Sequence, residues 1–312
     1  MRPKTKTQKV NREVLDRIQL PSGANMVLIH IPHQNKDTTT KSGILVVGDQ
    51  DFKPAQHAER WGYVYRIPDK LVFDGDDPYS SQWETTIECE VGDKVWFDYH
   101  SAMYAYTMEC EGEWYKIMSY TSLYVVLRGD KIIPMNGYMM LKRYIPPKKS
   151  ELSLDEKADE DYGIVYKAGK PNTNYLLDVW NDDIEINEGD HVLFEAGTSC
   201  FPLEHSMHQE FVEGGLVLQH RKRVLAVVSE DHSHILRLHT GVFGVKVRED
   251  KLEKGGITLT KSMSSIRIGD VVVSSHDKIK EGSVVILPKK QGTEFNGLEY
   301  YTEDRIYYYE TT

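Results

Sequence analysis

The residues best suited to chemistry lie in "EDHSHILRLH" at 230–239, where Glu230, His232, His234 and His239 fall close together. Neutral imidazoles and a carboxylate are donor types that hold zinc. His232 and His234 would share one face of a strand, because strand side chains alternate. No matching cysteine or carboxylate pattern completes a tetrahedral set, so a surface strand or turn is the expectation here. "HSMH" at 205–208 has the same deficit, and "DGDD" at 74–77 lacks the spacing of a calcium loop. There is no G-x-S-x-G, no H-E-x-x-H, no phosphate-binding loop, and no G-x-G-x-x-G after a strand. The expectation is a protein that is not an enzyme and takes no metal or cofactor.

Composition narrows the partners. The chain has 312 residues, 40% hydrophobic and 28% charged, which suits a globular protein of two or three domains. A formal net charge of −10 argues against non-specific nucleic-acid binding, which needs a positive surface. The exception is "MRPKTKTQKVNR" at 1–12, and residues 1–17 are expected to form a basic, flexible tail. No apolar run approaches the length of a membrane helix, and no apolar stretch follows the basic start as in a secretory signal. Cys89, Cys110 and Cys200 are odd in number and widely spaced. They read as buried free thiols in a reducing, cytoplasmic setting.

The elements that must position any site repeat along the chain. "VGDKVWF" at 91–97 returns as "EGDHVLF" at 188–194 and, more loosely, as "EGSVVIL" at 281–287. Gly92, Gly189 and Gly282 are therefore 97 (92 to 189) and 93 (189 to 282) residues apart. Upstream, "WGYVYR" at 61–66 matches "YGIVYK" at 162–167. Apolar strands follow each glycine: "LYVVL" at 123–127, "RVLAVV" at 223–228 and "RIYYYE" at 305–310. These short segments, rich in β-branched and aromatic residues and bounded by Gly, Pro, Asp or Asn, predict an all-β architecture. Helical periodicity is scarce and is best near Val10 to Leu20.

The order of strand, long polar loop, glycine-led strand, "GD-x-V" strand and closing strand resembles the GroES-like co-chaperonins, small β-barrels that cap a chaperonin cage. The resemblance implies tandem GroES-like small β-barrels with long mobile loops, at residues 18–131, 132–230 and 231–312. It implies a non-enzymatic lid for a chaperonin (GroEL-like) ring, homo-oligomeric in the manner of the family, with ATP hydrolysed by the partner. Divergence on this scale points to a viral member in a host cytoplasm; the alternative is a structural or assembly protein that kept the barrel and lost the partner. The family's glycine-led aliphatic loop is matched by "TTTKSGILV" at 38–46 and by "EKGGITLTKS" at 253–262. The partner-binding residues carried over are Gly43, Ile44, Leu45 and Val46, with Gly255, Gly256, Ile257, Thr258 and Leu259. Residues 34–60 and 145–161 are polar, contain proline and are poor in core residues, so they are expected to be the mobile segments. Both strips also fit ordinary strands; in the second, Ile257 and Leu259 would share a face with Thr258 turned away.

Overall fold

The computed structural model describes residues 7–21, 23–32, 60–73, 83–144, 161–171, 184–195, 201–202, 216–248, 251–254, 257–260, 266–288 and 292–310. Among these the protein is predominantly β, with two short α-helices. The described residues fall into two compact units. One holds those up to Tyr138 together with Gly169–Pro171 and Pro202, and the other holds the rest from Met139 onward.

The first unit opens with β1 (Gln8–Lys9), α1 (Arg12–Arg17), β2 (Met26–Ile31) and β3 (Trp61–Arg66). A separate pair, β4 (Leu71–Phe73) and β5 (Trp83–Thr85), precedes β6 (Lys94–Phe97) and α2 (Tyr99–Tyr104). Then come β7 (Tyr106–Cys110), β8 (Glu113–Ser119), β9 (Leu123–Arg128) and β10 (Lys131–Pro134). The main strands form one eight-stranded sheet in the order β1-β7-β8-β2-β3-β6-β9-β10. Its core face carries Val27, Ile29 and Ile31 with Val64, Val95, Phe97 and Val126.

The second unit carries two sheets. One is built from β11 (Tyr138–Arg143), β12 (Tyr162–Ala168), β13 (His191–Phe194), β14 (Phe201–Pro202), β15 (Leu216–His220), β16 (Val224–Val228) and β17 (Ile235–Leu238). Its spatial order is β14-β15-β11-β12-β13-β16-β17. The other starts with β18 (Val242–Val247), followed by β19 (Lys251–Lys254) and β20 (Ile257–Thr260), which pair only with each other among the described residues. It continues with β21 (Ile266–Ser274), β22 (Val284–Pro288), β23 (Thr293–Phe295), β24 (Leu298–Thr302) and β25 (Tyr308–Glu310), ordered β23-β24-β18-β21-β22-β25. These two sheets pack face to face: Leu193, Ala226 and Val228 of the first bury Val242, Phe295 and Tyr300 of the second. At the rim, Glu195 accepts from Arg223 at 2.6 Å and Arg305 at 2.9 Å, which pairs a nearly buried carboxylate with two guanidiniums.

The three sheets share one topology. Counting the common strands of each along the chain as one to six, every sheet runs 4-5-1-2-3-6. A 3-10 turn links strands five and six each time, at Tyr120–Ser122, Arg221–Arg223 and Glu303–Arg305. Strands one and two slip register at the same place: between Leu28 and Ile29, Met140 and Leu141, and Gly244 and Val245. Such bulges bend a strand and sharpen its twist. The sheets stay open at their edges, and no closed barrel forms among the described residues.

Two expectations need correction. Residues 7–17 are not a loose tail: β1 pairs in parallel with β7, and α1 lays Leu15, fully buried, against Leu28, Met108, Cys110 and Tyr115. The helix is short, but Asn11 caps it by accepting from the Val14 amide at 2.8 Å, and Val10, Ile18 and Leu20 pack beside Leu15. The repeat boundaries also lie later than 132 and 231. Lys131–Pro134 pairs with β9 and closes the first sheet, and Ile235–Leu238 pairs with β16 and closes the second, so the next sheets begin at Tyr138 and Val242.

Candidate partner-binding site

The site expected from sequence lies in the connection between strands one and two. The three sheets place that connection equivalently, at residues 32–60, 144–161 and 248–265. Gly43, Ile44, Leu45 and Val46 lie outside the described residues, as do Gly255 and Gly256 and nearly all of 145–161. Ile257, Thr258 and Leu259 are described as backbone in β20. There Lys254 faces Ile257, Glu253 faces Thr258, and Leu252 faces Leu259 across an antiparallel ladder. Glycine pairs flanked by alternating residues favour two-residue hairpin turns, and that accounts for a strand on each side of Gly255-Gly256. The strip is therefore a strand, but one held in a hairpin apart from the six-stranded sheet.

Strand two, at which each connection ends, is anchored by a glycine turn that precedes strand three. Gly92, Gly189 and Gly282 have φ of +94°, +91° and +86°, a region that favours glycine. Their amides donate to Val64, Val165 and Val271 at 2.8, 2.8 and 2.9 Å. The same three valines donate back to the residue after each glycine, Asp93, Asp190 and Ser283, each at 2.9 Å. Strand two is thus clamped to the turn by the residue where the bulge lies. In the first two copies the aspartate also accepts from a backbone amide three residues back, Glu90 at 2.7 Å and Asn187 at 2.8 Å. Arg128 and Arg237 complete those carboxylates at 2.7 and 2.6 Å. In the third copy Ser283 is fully buried and its hydroxyl has no hydrogen-bond partner among the described residues.

A second glycine in each strand two sits under strand one. A Cβ on Gly62 would lie 2.5 Å from Ile29 Cγ2 and 2.6 Å from the His30 carbonyl. On Gly163 its three nearest atoms would all belong to Leu141, the first at 2.9 Å, and on Gly269 it would meet Val245 Cγ1 at 2.2 Å. "IGDVVV" at 268–273 is therefore the third copy of "WGYVYR" and "YGIVYK", a match hidden because the tyrosines are replaced.

The histidine stretch is a surface turn at 230–234 leading into β17, in line with the expectation, and His232 and His234 do not lie together on a strand. His232 Nε2 pairs with His191 Nδ1 at 3.0 Å, and its ring stacks on Tyr162 at 4.9 Å with Tyr144 4.2 Å away. Two imidazoles sharing one hydrogen bond leave one as donor and the other as acceptor. His234 Nδ1 meets Ser233 Oγ at 2.8 Å, while Asp231 bonds Ser229 and Ser233 and is held down to about 2 by them. The order is acid–serine–histidine, whereas nucleophile activation needs the acid on the imidazole. Among the described residues, no group of three or more His, Cys, Asp or Glu side chains is placed to hold a metal. Cys89 and Cys110 are buried free thiols, and burial pushes the Cys89 thiol up to about 12, far from reactive thiolate. Cys200 lies outside the described residues. No described helix is long and apolar enough to cross a membrane. No family model matches the chain, and no curated protein matches it.

Proposed function

We propose that the chain is a co-chaperonin: a non-enzymatic lid of tandem GroES-like β units that docks on a chaperonin ring through its strand-one to strand-two connections. The observation that carries this reading is the third connection. It places Ile257-Thr258-Leu259 in a hairpin that, among the described residues, pairs with no strand of the main sheet. Recurrence of the connection at one place in all three sheets supports a shared role, with Ile44, Leu45 and Val46 serving in the first. Burial of one Ile or Leu in a groove contributes roughly 1.5–3 kcal/mol. Ordering a loop costs a comparable amount, so single loops bind weakly and several together capture strongly. The lid does no chemistry, and the ring supplies ATP hydrolysis.

The test is capture by a chaperonin with ATP, set beside thermal melts. Ile257→Asp and Leu259→Asp should leave the melts unchanged and abolish capture, because a charge driven into an apolar groove is desolvated without a partner. Ile44→Asp should act likewise, and the double change should be worse than either. Normal folding with unchanged capture would refute docking through that loop. A second reading, a structural or assembly protein, is favoured by the face-to-face packing of two sheets in the second unit. It predicts no capture by any chaperonin, with or without nucleotide.

A further inference from the structure

The imidazoles of His191 and His232 meet nitrogen to nitrogen, Nδ1 to Nε2 at 3.0 Å, with their rings nearly perpendicular at 86°. β13 carries the first, and the turn between β16 and β17 carries the second. Two ligand nitrogens in neighbouring positions on one ion, each about 2.0–2.1 Å from it, lie about 2.8–3.4 Å apart. The pair already stands at the separation that a shared cation needs. Both residues are half-buried, which leaves them within reach of solvent.

This geometry is held at a conformational cost. His232 has φ of +55°, a region that favours glycine, and the corresponding hairpin of the first sheet, β9–β10, turns on Gly129 at +58°. The turn is pinned all the same. The His232 amide donates to the Ser229 carbonyl at 2.9 Å, and Ser229 Oγ accepts from the amides of Ser233 and His234 at 3.1 and 3.2 Å. From the facing sheet, Asn296 Nδ2 donates to the Ser233 carbonyl at 2.6 Å. Tyr162 stacks on the His232 ring and Tyr144 lies against it, so packing limits how far the ring turns. A hydrogen bond between two neutral imidazoles explains the distance, but not a histidine where glycine fits better. Backbone held in a disfavoured region by its surroundings is typical of functional sites, and side chains fixed in advance bind without first being ordered.

We propose that His191 Nδ1 and His232 Nε2 form a binding site for a late first-row divalent cation, with copper held tightest. Imidazole is a ligand that suits these ions, and affinity along the row peaks at divalent copper. On binding, the proton between the rings moves to the far nitrogen of its own ring, so that both facing lone pairs reach the ion. Among the described residues no third His, Cys, Asp or Glu joins the pair. The site therefore differs from a closed structural zinc centre of four protein ligands, and water fills its remaining positions. A bound ion would tie β13 to the β16–β17 turn and stabilise the second unit by mass action. This proposal stands apart from chaperonin docking, which uses the connections between strands one and two.

The test is titration of the full chain with divalent copper, read by calorimetry and electron paramagnetic resonance, with circular dichroism of each variant. The expected result is a copper site whose spectrum shows two imidazole nitrogens, and a thermal transition of the second unit that rises with copper. His191→Ala and His232→Gly should each weaken binding roughly 10–100-fold and abolish the rise. His232→Gly suits the positive φ, so it keeps the turn folded and decides the matter if His191→Ala does not fold. His205→Ala combined with His208→Ala, in the other close histidine pair of the sequence, should change neither readout. No copper binding, binding that survives in folded His232→Gly, or binding lost with His205 and His208 instead would each overturn the proposal.

Discussion

Replacing the glycine under strand one by alanine, copy by copy, tests whether the shared topology rests on close backbone approach. At Gly62 the new methyl would lie 2.6 Å from the His30 carbonyl oxygen. An ordinary C···O contact is about 3.3 Å, so β2 must retreat by about 0.7 Å. That oxygen belongs to the backbone of a strand paired on both sides, with β3 and β8, and it cannot swing away. Overpacking costs typically about 1–3 kcal/mol, and this site belongs at the upper end. Alanine returns about 0.4–1 kcal/mol by restricting the unfolded chain, which leaves a net loss near 2 kcal/mol. At Gly163 the nearest atom is Leu141 Cδ1, which can turn, and the fixed Leu141 Cβ is 3.1 Å away and needs a shift of only a few tenths of an ångström, so the net change should be about 0–1 kcal/mol. Gly269→Ala should fall between, because its worst contact is a side-chain methyl with the Lys246 carbonyl at 3.2 Å behind it. Four of the five tryptophans, Trp61, Trp83, Trp96 and Trp114, lie in the first unit, so tryptophan fluorescence during urea unfolding reports mainly on Gly62→Ala. Calorimetry reports the other two. The reasoning fails if Gly163→Ala is as costly as Gly62→Ala.

Ser283→Ala should stabilise the second unit by up to about 1 kcal/mol, because it removes a buried hydroxyl that has no partner among the described residues; a calorimetric Tm that falls instead would show the hydroxyl is satisfied. Acid should destabilise the last sheet through Glu299. Burial pushes its carboxyl up, but bonds from Arg267, Tyr301 and the Gly292 amide pull it further, below the ordinary 4.5. A depressed folded value means that the stabilisation is present above 4.5 and is lost as pH falls through the folded value, so Glu299→Gln should flatten the dependence of Tm on pH below 4.5.

The repeat was legible where the backbone leaves little choice. Gly92, Gly189 and Gly282 announce themselves because a positive φ admits few residues, and the V-x-[FL] that follows puts Val95, Val192 and Val285 in the cores. Strands four and five were not legible: "YTMEC" and "EWYKIMS" share little with "TEF" and "LEYYT" beyond one aligned glutamate, since a strand needs only alternation. The third copy of "WGYVYR" was missed for the same reason, as only Gly269 and Val271 retain what geometry demands. The helix at Arg12–Arg17 was hidden in a basic segment, where one buried Leu15 outweighs the charges around it. For the candidate site, the glycine pair was read as a flexible leader, although the same two letters between alternating residues specify a hairpin. His191 and His232 stand 41 positions apart, and only strand pairing brings them together.

Three sheets with one strand order on a single chain carry a hazard for biogenesis. Any first strand can in principle hydrogen-bond to any second strand, so a nascent chain risks exchanging strands between repeats, a characteristic misassembly of tandem proteins. The close-approach glycines offer a lock against it. Gly62 is fitted to Ile29 and Ile31, Gly163 to the branched end of Leu141, and Gly269 to Val245. A strand from the wrong repeat would bring a differently shaped side chain to each glycine and leave either a clash or a void. Sequence drift between the repeats therefore has a purpose beyond neutrality: it makes each sheet recognise its own strands as they leave the ribosome.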